Sequence, residues 1–443
     1  MHKKKLAIIT LGCSKNLVDS EDIATRIHSR YDVVFSDGSD TDNAAAPDIV
    51  LINTCGFILD AKQESIDTIM DYINLKNEGK IQRLFVFGCL SQRYKKELAE
   101  EIPEVDEFFG VDSLREILDR LDCDDFNCSV VKEPRMISTP RHTAYIKIAE
   151  GCDRYCAFCA IPYIRGHYVS RPLDEIVDEV RRLAQNGTRE FNLIAQDLSC
   201  YGKDLYGEFR LPELVEALSA VEGVKWIRLH YTYPNNFPLR TLDIMRDNPK
   251  VCKYLDIPLQ HINDNVLDKM KRGHTKEETL ALLNTIRERV PGIVLRTTLL
   301  VGFPGETDKA FDELVDFVKD TKFDRLGVFP YSAEEGTYSA EHYKDRISKK
   351  KKQERADLIM SIQQKISLQL NVAKIGREFE IVVDRVEGDY FVGRTQYDSP
   401  EVDCEVLVNQ QDAPDFHIGG FYNVVITDAE EFDLYARPVL SKN

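Results

Sequence analysis

Apolar runs of strand length alternate with helix-patterned stretches twice along this chain. That alternation confines it to folds in which parallel strands are covered by helices. In the first series, residues 5–10, 48–53, 84–87 and 107–109 read as strands. Residues 17–29, 60–77, 92–101 and 113–121 carry the helical spacing. An open parallel α/β sheet with helices on both faces is expected. Residues 123–140 lose the pattern, and Pro134 and Pro140 sit in a polar stretch typical of a linker.

A second series begins at Tyr145, with strands expected at 145–149, 190–195, 226–231, 254–257, 294–301 and 325–329. Helices fall at 173–185, 211–221, 239–247, 263–271, 276–290 and 309–321. Six strand–helix units predict a partial (β/α)6 barrel or a full one. Residues 346–373 form one long proline-free helix, and its Lys349–Lys352 run reads as a solvated face. Beyond Gly376 the short runs 379–383, 390–394, 405–408 and 422–427 alternate apolar and polar residues, as in a small all-β barrel. The expected division is 1–125, a linker at 126–140, 141–373 and 374–443.

Composition narrows the function. The apolar run after Met1-His2-Lys3-Lys4-Lys5 is broken by Gly12, and no small-residue cleavage site follows, so it reads as a strand and not a signal peptide. No stretch approaches the roughly 20 apolar residues of a membrane span. A cytoplasmic protein without a membrane partner is expected. In a large untargeted chain, 11 cysteines are better explained by metal binding or catalysis than by disulfides. A formal net charge of −17 disfavours a grip on phosphates, DNA included, and favours a basic partner.

The segment Gly151-Cys152-Asp153-Arg154-Tyr155-Cys156-Ala157-Phe158-Cys159 places three thiols at C-x3-C-x2-C spacing. Thiolates are soft ligands that suit zinc or iron–sulfur clusters. Three of them hold three corners of a cubane and leave one iron free for a small molecule. The motif follows the first strand of the second series, where parallel barrels place their active sites. A zinc site completed by His142 or His167 is the alternative, though zinc sites usually come as C-x2-C pairs. Three further cysteines follow three strands of the first series: Cys13, Cys55 and Cys89. The carboxyl ends of neighbouring parallel strands share one edge, so these thiols should converge and bind a second cluster. Independent burial of each is the plain alternative. Cys123, Cys128, Cys200, Cys252 and Cys404 read as ordinary free thiols.

The 151–159 segment resembles the signature of the radical S-adenosylmethionine superfamily. The resemblance implies that Cys152, Cys156 and Cys159 hold a 4Fe–4S cluster whose free iron chelates the methionine end of S-adenosylmethionine. Electron transfer then yields a 5′-deoxyadenosyl radical. It places Phe158 near the adenine and Gln196-Asp197 near the amino group. Arg296 and the turn Val301-Gly302-Phe303-Pro304-Gly305-Glu306 match segments that flank the cofactor. The stretches 11–21 and 53–55 resemble the N-terminal domain of the methylthiotransferase family, in which the equivalents of Cys13, Cys55 and Cys89 bind a second, sulfur-carrying 4Fe–4S cluster. The family's C-terminal module is a TRAM-like β-barrel.

Two branches of that family differ in substrate. One modifies an adenosine of tRNA; the other modifies the β-carbon of an aspartate in small-subunit ribosomal protein S-twelve. Gly12-Cys13-Ser14-Lys15-Asn16 resembles the second. Residues 371–443 hold 6 Lys+Arg against 15 Asp+Glu, a surface that repels phosphate and attracts a basic protein. The resemblance also implies a reductant such as flavodoxin and a sulfur donor. No general base is expected, because the cofactors carry the chemistry. A non-enzymatic electron carrier is the remaining alternative, but such proteins close each cluster with four cysteines.

Overall fold

A computed structural model describes residues 3–36, 47–121 and 133–439. Cys123, Cys128 and the first part of the expected linker lie outside the described residues. The first series forms a five-stranded parallel sheet from β1 (Lys4–Thr10), β2 (Tyr31–Ser36), β3 (Ile49–Thr54), β4 (Arg83–Gly88) and β5 (Glu107–Phe108). Their order in the sheet is β2-β1-β3-β4-β5. The central strand β3 is buried along its whole length. Val50 and Ile52 enter the core under one helix layer, and Ile49 and Leu51 the core under the other. A strand covered on both faces reads as an unbroken apolar run.

The second series opens with β6 (Thr143–Lys147) and a short antiparallel ribbon, β7 (Ala149–Glu150) with β8 (Val169–Ser170). It continues through β9 (Glu190–Ile194), β10 (Trp226–Leu229), β11 (Val251–Asp256), β12 (Val294–Val301) and β13 (Arg325–Pro330). The six long strands run parallel in chain order, from β6 at one edge to β13 at the other. The sheet curls without closing, which is the partial (β/α)6 barrel expected. Ile227, Leu229, Leu255 and Leu295 pack outward against the helices, while Trp226, Tyr254 and Val294 belong to a separate inner cluster.

Helix Lys349–Val372 leads into β14 (Glu378–Glu387), β15 (Tyr390–Thr395), β16 (Glu405–Asn409), β17 (Phe421–Ala429) and β18 (Asp433–Pro438), a closed barrel. The lysine run is not wholly solvated. Lys352 is buried, and its Nζ donates to the Tyr331 carbonyl at 2.9 Å.

The small barrel packs against the inner face of the partial one. Trp226 meets Phe421 edge to face, with ring centroids 5.0 Å apart. The Arg228 guanidinium donates to Glu190 at 2.9 Å, and Arg394 donates to the same carboxylate at 2.8 Å. Arg228 and Glu190 are both 0% exposed. Burial alone would raise the Glu190 carboxyl, but Arg394 and Arg228 outweigh it and hold it below the usual carboxylate range. Among the described residues, no helix is long and apolar enough to cross a membrane.

Candidate active site

Each cysteine of the first series sits just past a strand. Cys13 precedes helix Ser14–Ile27 and accepts its first backbone bond, from Leu17 N–H at 3.2 Å. Cys55 follows β3 directly, and Cys89 opens helix Cys89–Glu101 directly after β4. Buried Asn16 ties the three loops together. Its Nδ2 donates to the Leu11 carbonyl at 2.9 Å and the Thr54 carbonyl at 3.2 Å, and its Oδ1 lies 3.7 Å from Cys89 Sγ.

The second trio is carried on the loop after the β7 strand. Gly151 takes φ +78°, and a Cβ there would collide with the His167 carbonyl, so the close approach of that backbone requires glycine. The loop is pinned where Ala157 N–H donates to the Met270 carbonyl at 2.9 Å and Ser339 N–H donates to the Ala157 carbonyl at 2.8 Å.

All six thiols line one cavity of about 440 Å³ at the seam between the two parallel sheets. Convergence of Cys13, Cys55 and Cys89 is therefore what the structure places there, alongside Cys152, Cys156 and Cys159. Phe158 and Gln196 also line it. Phe158 meets Phe303 edge to face at 6.5 Å, and Gln196 Nε2 donates to Glu150 at 2.7 Å. Arg296 and Val301 lie outside the lining. Side chains alternate along β12, so Val301 enters the helix-side core. The Arg296 guanidinium is paired with Asp256 at 3.1 Å and faces Asp403 at 3.7 Å. Neither candidate histidine reaches the cysteines. His142 pairs with Asp384 of the small barrel at 2.8 Å, and exposed His167 pairs with Asp153 at 2.8 Å. Cys252 and Cys404 are buried, and half-buried Cys200 lies 3.3 Å from Asp197.

Cations missing from the sequence-based expectations surround the sulfurs. Arg165 donates to Cys89 Sγ from Nε and Nη2, both at 3.4 Å, and pairs with Asp19 at 2.7 Å. Arg272 Nη1 donates to Cys156 Sγ at 3.3 Å, and Tyr233 OH lies 3.7 Å from the same sulfur. These donors favour thiolates, whereas burial opposes them and pushes Cys55 and Cys152 up to about 11. Glu150 is raised by burial but lowered more by Lys147 and Arg165, to about 2. Tyr155, Tyr231 and Gln260, in the cysteine loop and the lining, all hold positive φ, at 47°, 61° and 72°. Such strain costs about 1–3 kcal/mol per residue and persists where packing enforces it, commonly at active sites.

The donor set fits iron–sulfur clusters. Among the described residues, no three His, Cys, Asp or Glu are gathered tightly enough for a single metal ion. Corner ligands of a cubane each take a different iron and stand further apart than ligands of one ion. Arg272 Nε and Gln196 Oε1 are buried at the cavity without a protein partner, as polar atoms awaiting a bound group would be.

Residues 146–318 match the radical SAM superfamily, 5–110 the uncharacterized protein family UPF0004, and 375–439 the TRAM domain. TsrM from Kitasatospora setae, a radical S-adenosylmethionine methyltransferase, shares the fold with a TM-score of 0.57 at 16% identity, over 76% of this chain and 77% of that one. The protein of Bacteroides thetaiotaomicron named "Ribosomal protein uS12 methylthiotransferase RimO" is 51% identical over 442 residues, covering 100% of both chains. The protein of Phocaeicola vulgatus with the same name is 52% identical over 98% of this chain and 99% of its own. With half its residues shared from end to end, the chain belongs to the RimO family of radical S-adenosylmethionine methylthiotransferases.

Proposed function

We propose that this enzyme transfers a methylthio group to the β-carbon of an aspartate in small-subunit ribosomal protein S-twelve, using two 4Fe–4S clusters and S-adenosylmethionine. Cys152, Cys156 and Cys159 hold one cluster; Cys13, Cys55 and Cys89 hold the other. The observation that carries the reading is that both trios line a single cavity. When bound, the cofactors supply a carbon-centred oxidant at one trio and transferable sulfur at the other.

The chain's own residues do the rest. Arg165 and Arg272 offset thiolate charge. Phe158 would lie near the adenine and Gln196 near the amino group of S-adenosylmethionine. Arg296 and Val301, on β12, are left outside this set. The expected divisions at 1–125, 126–140, 141–373 and 374–443 are retained as functional units.

Charge supports a protein substrate over tRNA. Part of the acidity of the small barrel is internal, because Asp384 and Asp398 pair with Arg394 and Arg325. Asp389, Asp412, Asp415, Asp428 and Glu430 remain exposed for a basic protein. A reductant such as flavodoxin and a sulfur donor complete the system. The test is mass spectrometry after anaerobic incubation of the reconstituted enzyme with dithionite, S-adenosylmethionine, purified S-twelve and tRNA. One methylthio group in place of one hydrogen on S-twelve is expected; a gain on tRNA alone would overturn the assignment.

A further inference from the structure

The cavity lining carries four cationic side chains, Lys15, Arg154, Arg165 and Arg272, and no carboxylate. Three of the four are engaged. Arg154 Nε donates to Asp197 at 2.7 Å. Arg165 is shared between Asp19, Glu150 and Cys89. Arg272 donates to Cys156 Sγ and to the Pro258 carbonyl. Lys15 is different. Among the described residues its ammonium makes neither an ion pair nor a hydrogen bond, and it lies 3.4 Å from the centroid of the Tyr231 ring. Tyr231 is one of the residues held at positive φ, so strained backbone lays that ring beneath the ammonium.

A ring face attracts a cation without using its N–H donors. Lys15 therefore stands in a walled cavity with three donors free. We propose that Lys15 receives the side-chain carboxylate of the target aspartate, and so positions and selects the substrate. This rests on the reading of the enzyme as an aspartate-modifying methylthiotransferase. Reaction at the β-carbon leaves the carboxylate intact one bond away, so holding the carboxylate fixes the C–H that must react. Lys15 is two residues from Cys13, which puts the held carbon beside the trio assigned to sulfur delivery. An unmodified adenine brings no anion to this ammonium, so the same residue disfavours a nucleoside.

The methionine carboxylate of S-adenosylmethionine has the same chemistry, and the test separates the two. Wild type, Lys15→Gln and Lys15→Arg are reconstituted with iron and sulfide. Each is assayed against S-twelve carrying aspartate or asparagine at the modified position. Substrate Kd, KM, S-adenosylmethionine affinity and iron content are all read. The Lys15→Gln change is expected to weaken Kd and raise KM for the aspartate substrate roughly ten- to a hundred-fold, as loss of a charge-assisted bond does. Lys15→Arg recovers most of that loss, and the asparagine substrate binds equally poorly to wild type and Lys15→Gln. Iron content and S-adenosylmethionine affinity stay unchanged. An unchanged Kd and KM in Lys15→Gln, or a loss confined to S-adenosylmethionine affinity or iron content, would overturn the proposal while leaving the methylthiotransferase reading intact. If wild type modifies only tRNA, that reading fails and takes this inference with it.

Discussion

Single residues set the two thiol cradles. Gly12 holds φ at +90°, and a Cβ on it would stand 2.8 Å from Cys55 Cβ and 3.0 Å from its sulfur. Gly12→Ala combines backbone strain with displacement of a ligand. Its expected effect is loss of the cluster at Cys13, Cys55 and Cys89 alone, with reductive cleavage of S-adenosylmethionine retained at the other and methylthio transfer abolished. Assay of 5′-deoxyadenosine beside the modified product checks this. Arg165 is nearly buried and joins Asp19, Glu150 and the Cys89 sulfur. Arg165→Met leaves two partly buried carboxylates with Lys147 as their remaining cation. Removing one partner of a buried pair costs about 3 kcal/mol. Losing donors to a cluster sulfur also lowers its reduction potential. A reduced melting temperature and a more negative midpoint in redox titration are expected together.

Strands carry the cradles, and their burial decides how firmly. Ile52 of β3 is fully buried in the core two residues before the strand ends. Ile52→Ala should destabilise the first domain by about 2–5 kcal/mol in a denaturant titration, through lost burial and a cavity. Strands such as β3 were legible because an unbroken apolar run has few other readings. Strand β2 was not, because this edge strand alternates half-exposed with exposed residues and follows a helix with little punctuation. The ribbon β7–β8 spans two residues a side, too short for any periodicity to register. The convergence of Cys13, Cys55 and Cys89 followed from strand ends alone. The cations Arg165 and Arg272 could not be anticipated. They reach the sulfurs from a helix end and from the turn after a helix, 76 and 116 positions away in sequence, where no spacing rule applies. Gly302 and Gly305 did mark a tight turn after β12, where the Glu306 carboxylate accepts from Gly302 and Phe303 N–H, but the alternation along β12 turns Val301 away from the cavity.

At the scale of the whole molecule, the small barrel is held by buried ion pairs centred on Glu190. Its carboxyl lies below the ordinary value of 4.5 in the folded protein. The pair therefore contributes its full stability above about pH 4.5 and loses it as pH falls toward the depressed folded value. Trp226 is the only tryptophan and packs on Phe421 of the barrel, so its emission reports docking. A red shift below about pH 4.5 is expected in the cluster-free protein. Glu190→Gln leaves two buried guanidinium groups short of a partner, a cost of about 3–5 kcal/mol, and should show the shift already near neutral pH. The cavity itself belongs to the two parallel-sheet domains, which bring two trios of thiols to its lining, and that claim has a direct test. Iron is counted after anaerobic reconstitution of wild type and of two variants, one with Cys13, Cys55 and Cys89 changed to alanine and one with Cys152, Cys156 and Cys159 changed. The account predicts about eight irons in wild type and about four in each variant, two cubanes of four each. About four irons in wild type, with all of them lost from one variant and none from the other, would contradict it.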